Sequence, residues 1–215
     1  SDEDEDFGAT PNLFADRAGT TVVGAGRKDG TYYVVDAADG RLMRRSHVAE
    51  ALPGVGGFIG SSAVWEGQVF GATALGSLPA YHAIDAATGA LRWQGLAAPG
   101  YGASAVVNGV VFAGSLDGLL QAFDAATGLL LWASPLLGPI SSGPVVAGDM
   151  VFIGSGTSTS DLCAKGIPGS ELCLFVFDNV LGQLGAVHGF VLCSLEAPSS
   201  PRSQSSGAHA LAGLC

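Results

Sequence analysis

The stretch Leu120-Gln121-Ala122-Phe123-Asp124-Ala125-Ala126-Thr127-Gly128-Leu129-Leu130-Leu131-Trp132 decides the fold, because the chain holds it more than once. Tyr81-His82-Ala83-Ile84-Asp85-Ala86-Ala87-Thr88-Gly89-Ala90-Leu91 repeats it, with Trp93 again eight residues after the aspartate. Tyr32-Tyr33-Val34-Val35-Asp36-Ala37-Ala38-Asp39-Gly40-Arg41-Leu42 is a copy with Arg44 in the tryptophan position. A degenerate fourth copy runs from Leu174 to Leu184 around Asp178, with Ala186 in that position. The four aspartates stand 49, 39 and 54 residues apart, the period of propeller blades.

Each copy has one physical logic. An alternating apolar stretch makes a strand, and the Asp side chain can accept hydrogen bonds from backbone N–H groups two and three residues on. The glycine supplies the positive φ that closes a hairpin, and a second strand leaves toward the tryptophan. Two more strands lie upstream. In the third unit they are Ser104–Val107 and Val110–Gly114, joined by Asn108-Gly109, the strongest short hairpin signal. Ser62–Trp65 and Gln68–Gly71 serve the second unit, Gly143–Val146 and Met150–Gly154 the fourth. Four antiparallel strands per unit, repeated radially, describe a propeller blade. A β-sandwich does not explain a repeated Asp-x-x-Thr-Gly-x-x-x-Trp. The expectation is an all-β fold, a partial β-propeller of about four four-stranded antiparallel blades, near residues 9–48, 58–97, 100–137 and 140–190. The innermost strands are expected to carry small residues, since the axis is crowded. Residues 1–190 form this domain and 191–215 a flexible or divergent tail, rich in Ser and Pro from Ser199 to Ser206.

Composition agrees: 33 glycines among 215 residues suit short strands and tight turns. A net charge of −10 with nine scattered Lys and Arg argues against nucleic acid. No apolar run approaches a membrane span of roughly 20 residues, and no signal peptide opens the chain. The acidic run Ser1–Asp6 reads as a solvated loop, with no glycine-punctuated calcium loop after it. Cys163, Cys173, Cys193 and Cys215 include no CxxC pair, which disfavours zinc. Cys163 and Cys173 bracket a short loop and pair in an oxidising compartment or remain free buried thiols.

The repeated Ala-x-Asp-x-x-Thr-Gly-x-x-x-Trp resembles the quinoprotein alcohol dehydrogenase (PQQ-repeat) signature. In that family the tryptophans dock each blade on its neighbour, so Trp93 and Trp132 are expected buried between blades, each indole N–H on a backbone carbonyl. Trp65 is expected in the core. Asp4–Phe14, then Val23–Gly30, and Gly143–Gly156 look like polyvinyl-alcohol-dehydrogenase-type quinoproteins. The resemblance covers roughly residues 4–185 and implies an eight-bladed ring holding pyrroloquinoline quinone (PQQ) and calcium, which oxidises an alcohol or polyol in the periplasm or outside the cell. The family's catalytic base, calcium carboxylate and quinone-contacting lysine belong to blades preceding the Asp-Phe-Gly segment, so no catalytic or metal-binding residue is assigned to this chain. It is expected to be a C-terminal portion, incompetent alone and prone to self-associate through open blade faces. What remains toward the cofactor is Lys28 and Asp29, in a turn where relatives place a polar residue near the quinone, and Tyr101, near an aromatic position facing the cavity. An ordinary polar turn and rim packing are the alternatives for these residues; for His47 and His82 structural roles are expected. The rival function is a non-catalytic propeller that binds proteins, as in outer-membrane assembly lipoproteins of the same repeat family.

Overall fold

The computed structural model describes residues 6–54, 56–95, 98–136 and 138–156, with 172–177 and 189–194 described as backbone. Its strands fall into four antiparallel sheets of four, each in simple chain order. The first sheet is β1 (Asn12–Ala15), β2 (Thr21–Gly26), β3 (Thr31–Asp36) and β4 (Leu42–His47). The second is β5 (Ala63–Trp65), β6 (Gln68–Ala72), β7 (Tyr81–Asp85) and β8 (Leu91–Gly95). The third is β9 (Ala105–Val107), β10 (Val110–Gly114), β11 (Leu119–Asp124) and β12 (Leu130–Pro135). The fourth is β13 (Val145–Ala147), β14 (Met150–Ser155), β15 (Leu172–Phe177) and β16 (Gly189–Ser194). No helix occurs among the described residues. The expected domain limit at residue 190 falls within β16, and the serine-rich stretch beyond it lies outside the described residues.

The period-2 pattern explains how the sheets stack. On β6 and β7, alternate residues turn to opposite faces. Val69 and Ile84 join Val22, Tyr32 and Val34 of the first sheet in one buried cluster. Phe70, Ala72, Tyr81 and Ala83 face the other way, into a cluster with Val111, Ala113 and Phe123 of the third. Phe112, Leu120 and Ala122 then meet Val151 and Ile153 of the fourth. Each inner sheet is thus apolar on both faces and sandwiched between neighbours, as blades of a propeller are. The first strands β1, β5, β9 and β13 make the closest contacts between sheets, so they are innermost.

These inner strands are short and largely apolar rather than built of small residues. The crowding is relieved one step earlier, in the segments leading into them. A Cβ on Gly60 would lie 2.2 Å from the Gly102 carbonyl oxygen, and one on Gly102 would lie 2.3 Å from that of Ser142.

The hairpin turns follow the sequence closely. Asp85 Oδ1 accepts from the N–H groups of Ala87 (3.0 Å) and Thr88 (2.8 Å) and from the Thr88 hydroxyl (3.0 Å). Asp124 makes the same three bonds with Ala126 and Thr127. Asp36 holds the N–H of Ala38 at 2.8 Å, and Asp39, in the Thr position, holds that of Arg41 at 2.9 Å. Asn108 and Gly109 both have positive φ, 48° and 75°, as a two-residue type I′ hairpin demands.

Candidate functional site

One end of the arc carries the loops between second and third strands and the lead-in segments of each blade. The sequence candidates lie here, but the structure does not gather them into one site. Lys28, on the β2–β3 loop, places Nζ 2.9 Å from Asp6 Oδ1. Its backbone N–H donates to the Asp6 carbonyl at 3.1 Å, and its Cε lies 3.6 Å from where a Gly8 Cβ would stand. The Asp-Phe-Gly segment therefore wraps this lysine, leaving its side chain only 17% exposed. Its neighbour Asp29 turns elsewhere. Asp29 Oδ1 caps the N–H of Thr31 at 2.8 Å, and Oδ2 meets Arg27 Nη1 at 3.0 Å and the Tyr33 hydroxyl at 3.4 Å. Asp29, Thr31, Tyr33, Arg45 and His47 line an open hollow of about 370 Å³ on the outward face of the first blade.

Tyr101 is half-buried in the lead-in to β9. Its carbonyl oxygen would lie 2.6 Å from a Cβ on Gly60, while Gly57 packs on the Lys28 backbone. Lys28 and Tyr101 thus flank the lead-in of the second blade from opposite sides.

Chemically, this end offers a lysine already neutralised by a carboxylate and an aspartate committed to a turn and an arginine. Among the described residues, no three His, Cys, Asp or Glu side chains converge as metal ligands would. These groups fit at most one edge of a quinone cofactor with its carboxylates and do not by themselves form its site or that of a calcium ion.

Between the blades the side chains are organised for docking. Trp93 Nε1 donates to the Ala125 carbonyl at 2.9 Å, and its ring lies over Gly128 in the next blade's hairpin. Both Trp93 and Trp132 are half-buried rather than fully buried, since each ring lies at the edge of its interface, and Trp132 packs on the third–fourth cluster. Trp65, at the end of β5, packs on the second–third cluster.

Arg44, which stands where the tryptophan is missing, is more than a decayed repeat. Its Nη2 reaches the buried Asp16 at 3.3 Å, where Asp16 also caps the β1–β2 turn. In the second blade Arg92 pairs with Asp85, whose carboxylate also lies 3.4 Å from Arg17 of the first blade. Burial opposes the charge on Asp85, but the Arg92 guanidinium and the Thr88 bonds outweigh it and hold the carboxyl down at about 2.

Two polar joints escaped the sequence reading. The Tyr32 hydroxyl meets Ser62 Oγ at 3.3 Å, and that serine donates to Asn12 Oδ1 at 2.6 Å. One blade on, the Tyr81 hydroxyl donates to Ser104 Oγ at 2.8 Å. Each tyrosine stands four residues before its anchoring aspartate, and each serine directly precedes the first strand of the next blade. At the third boundary these positions hold Leu120 and Pro144, both buried. Burial pushes the Tyr32 hydroxyl up to about 12, against the Ser62 bond, and raises Tyr81 further. The repeated spacing from Asp to Tyr was the available signal.

Similarity to known proteins agrees with this architecture. A family described as "Outer membrane protein assembly factor BamB" (PQQ_2) matches residues 80–164. Polyvinylalcohol dehydrogenase of Sphingopyxis sp. (strain 113P3) is 28% identical over 82% of the chain. That of Pseudomonas sp. is 31% identical over 80%. The chain spans about a third of the length of these curated relatives, 33% of each. Among solved structures, a quinohemoprotein alcohol dehydrogenase of Pseudomonas putida HK5 superposes with a TM-score of 0.63 at 20% identity, over 87% of this chain and 34% of that one. BamB of Moraxella catarrhalis gives 0.59 at 19%, over 84% and 49%. The repeated Asp-x-x-Thr-Gly hairpins, the tryptophan docking and these likenesses agree: the chain is a run of β-propeller blades similar to those of PQQ-repeat, quinoprotein alcohol dehydrogenase-like proteins.

Proposed function

We propose that these blades are the C-terminal portion of a PQQ-dependent alcohol dehydrogenase of the polyvinyl-alcohol type, acting on an alcohol or polyol in the periplasm or outside the cell. The observation that supports this reading is the likeness to two polyvinylalcohol dehydrogenases, each matched over a third of its length. In this reading the hydroxyl's proton is taken by a base on other blades, which also supply the calcium ligands and the quinone-contacting lysine. Bound quinone would supply hydride-accepting chemistry. This chain would furnish one wall of the cavity, with Lys28 and Tyr101 at its edge and Asp29 bracing the Lys28 turn from the outward side of the blade.

The test is dye reduction with PQQ, calcium and a polyol. The 215-residue chain alone is expected to give no turnover, and co-expression with the other blades of the ring is expected to restore it. Turnover by the chain alone would overturn the assignment of the base to other blades. A second reading, a non-catalytic protein-binding propeller, is favoured by the match of residues 80–164 to an assembly factor. It predicts no PQQ binding by the completed ring, which quenching of tryptophan fluorescence by added PQQ would reveal.

A further inference from the structure

We propose that Cys173 and Cys193 form a disulfide that staples the two outer strands of the fourth blade. β15 and β16 pair antiparallel in a register that sets Cys173 directly opposite Cys193. The same row continues inward to Ser155 of β14, so it crosses the sheet at the end carrying the 156–171 connection. Directly opposed residues of an antiparallel pair have Cβ atoms on one face, about 4.5–5.5 Å apart. A disulfide needs about 3.5–4.5 Å, so a directly opposed pair is within reach of one.

The register also decides between partners. Cys163 is closer to Cys173 in sequence, but Cys193 is held opposite it by the strand ladder. The chemistry is thiol–disulfide exchange with a small-molecule disulfide such as glutathione disulfide. A thiolate of the pair attacks it, expelling one glutathione thiol and leaving a mixed disulfide. The second cysteine then displaces the other glutathione. Two protein thiols and one glutathione disulfide become one protein disulfide and two glutathione thiols; two electrons pass to glutathione and both protons end on its thiols.

The placement of Lys and Arg makes the test direct. Trypsin cutting after Arg92, Lys165 and Arg202 leaves Cys173 and Cys193 together in 166–202, with Cys163 in 93–165 and Cys215 in 203–215. The folded 215-residue chain is equilibrated with glutathione disulfide, quenched with acid, alkylated without reduction and digested. The expected product is peptide 166–202, unalkylated and lighter by two hydrogens, in both the wild type and C163S, and reverting with dithiothreitol. Fusion of 166–202 to 93–165 or 203–215, or full alkylation of both cysteines, would overturn the pairing. In the melting profile, dithiothreitol is expected to lower the midpoint of the oxidised wild type and of C163S, and to leave C193S unmoved. An equal shift in C193S would likewise overturn it.

Discussion

Trp93 reaches from one blade into the hairpin of the next, stacking near Tyr81 and Phe123 with ring centroids 6.0 Å away in each case. Truncating a packed tryptophan removes that contact and leaves a void. Trp93→Ala is therefore expected to destabilise the fold by roughly 3 kcal/mol, the low end for buried aromatics because the ring is half-exposed. Trp93→Phe keeps most of the packing and loses the bond to the Ala125 carbonyl, a loss of about 1 kcal/mol. Urea unfolding of the two variants measures the difference. His82 supplies a second residue-scale expectation. It is fully buried, with Gln94 Nε2 donating to its Nδ1 and Nε2 on the Thr73 hydroxyl, each at 3.0 Å. Burial lowers its pKa from 6.5 to about 4. The unfolded chain binds this proton more readily than the folded one between those values. Stability is therefore full above about pH 6.5 and falls as pH drops toward 4, by about 3 kcal/mol in all. A protonated Nδ1 would, besides, face the Gln94 donor. Urea midpoints between pH 7 and 4 should show this slope, and His82→Gln should flatten it.

At the scale of the strand and hairpin, much was legible because the motif writes its own turn. Asp85, Thr88 and Gly89 each do what their chemistry allows within five residues of chain, so no distant information was needed. The outer hairpins hide something the motif does not announce. The ladder shifts between Val34 and Val35, between Ala83 and Ile84, and between Ala122 and Phe123. The shift leaves Met43, Arg92 and Leu131 unpaired and re-aims the residue that follows, as a β-bulge does. Spacing alone gives the distance from Asp to Trp but not this extra residue. The edge residue Lys28 was harder still: its partner Asp6 is set by how the N-terminal segment folds over the β2–β3 loop, whereas Asp29 pairs within its own loop with Arg27. A paired substitution isolates the docking role of the hairpin. Gly40 and Gly128 occupy the same turn position with φ of +74° each, but only Gly128 lies under a tryptophan. Gly40→Ala should lose about 1 kcal/mol for its left-handed backbone. Gly128→Ala must in addition move the Trp93 ring, whose nearest atom stands 2.6 Å from the new Cβ, and should lose clearly more in the same denaturant titration.

For the molecule as a whole, the blades form a stack with two outward faces that no described sheet covers. Leu13, at 70% exposure, lies on the first of these, and Val145, at 60%, and Met150 lie on the last blade. Exposed apolar side chains on uncovered sheet faces favour association, even where, as on the first blade, Asp29, Arg45 and His47 share the face. The 215-residue chain is expected to be oligomeric by light scattering, and to become a defined complex when the remaining blades are supplied. A monodisperse monomer at high concentration would count against it.

The tyrosine–serine joints have a consequence for how such a chain could be rearranged. Excising residues 62–103 would fuse the first blade to the third and set Tyr32 against Ser104, a matched hydroxyl pair like the ones removed. Excising 104–143 would instead set Tyr81 against Pro144, which offers its phenol no side-chain partner. The first shortened chain should therefore melt higher than the second. The repeats look interchangeable in their hairpins, yet their seams carry an address, and recombination among them is free at one boundary and penalised at the next.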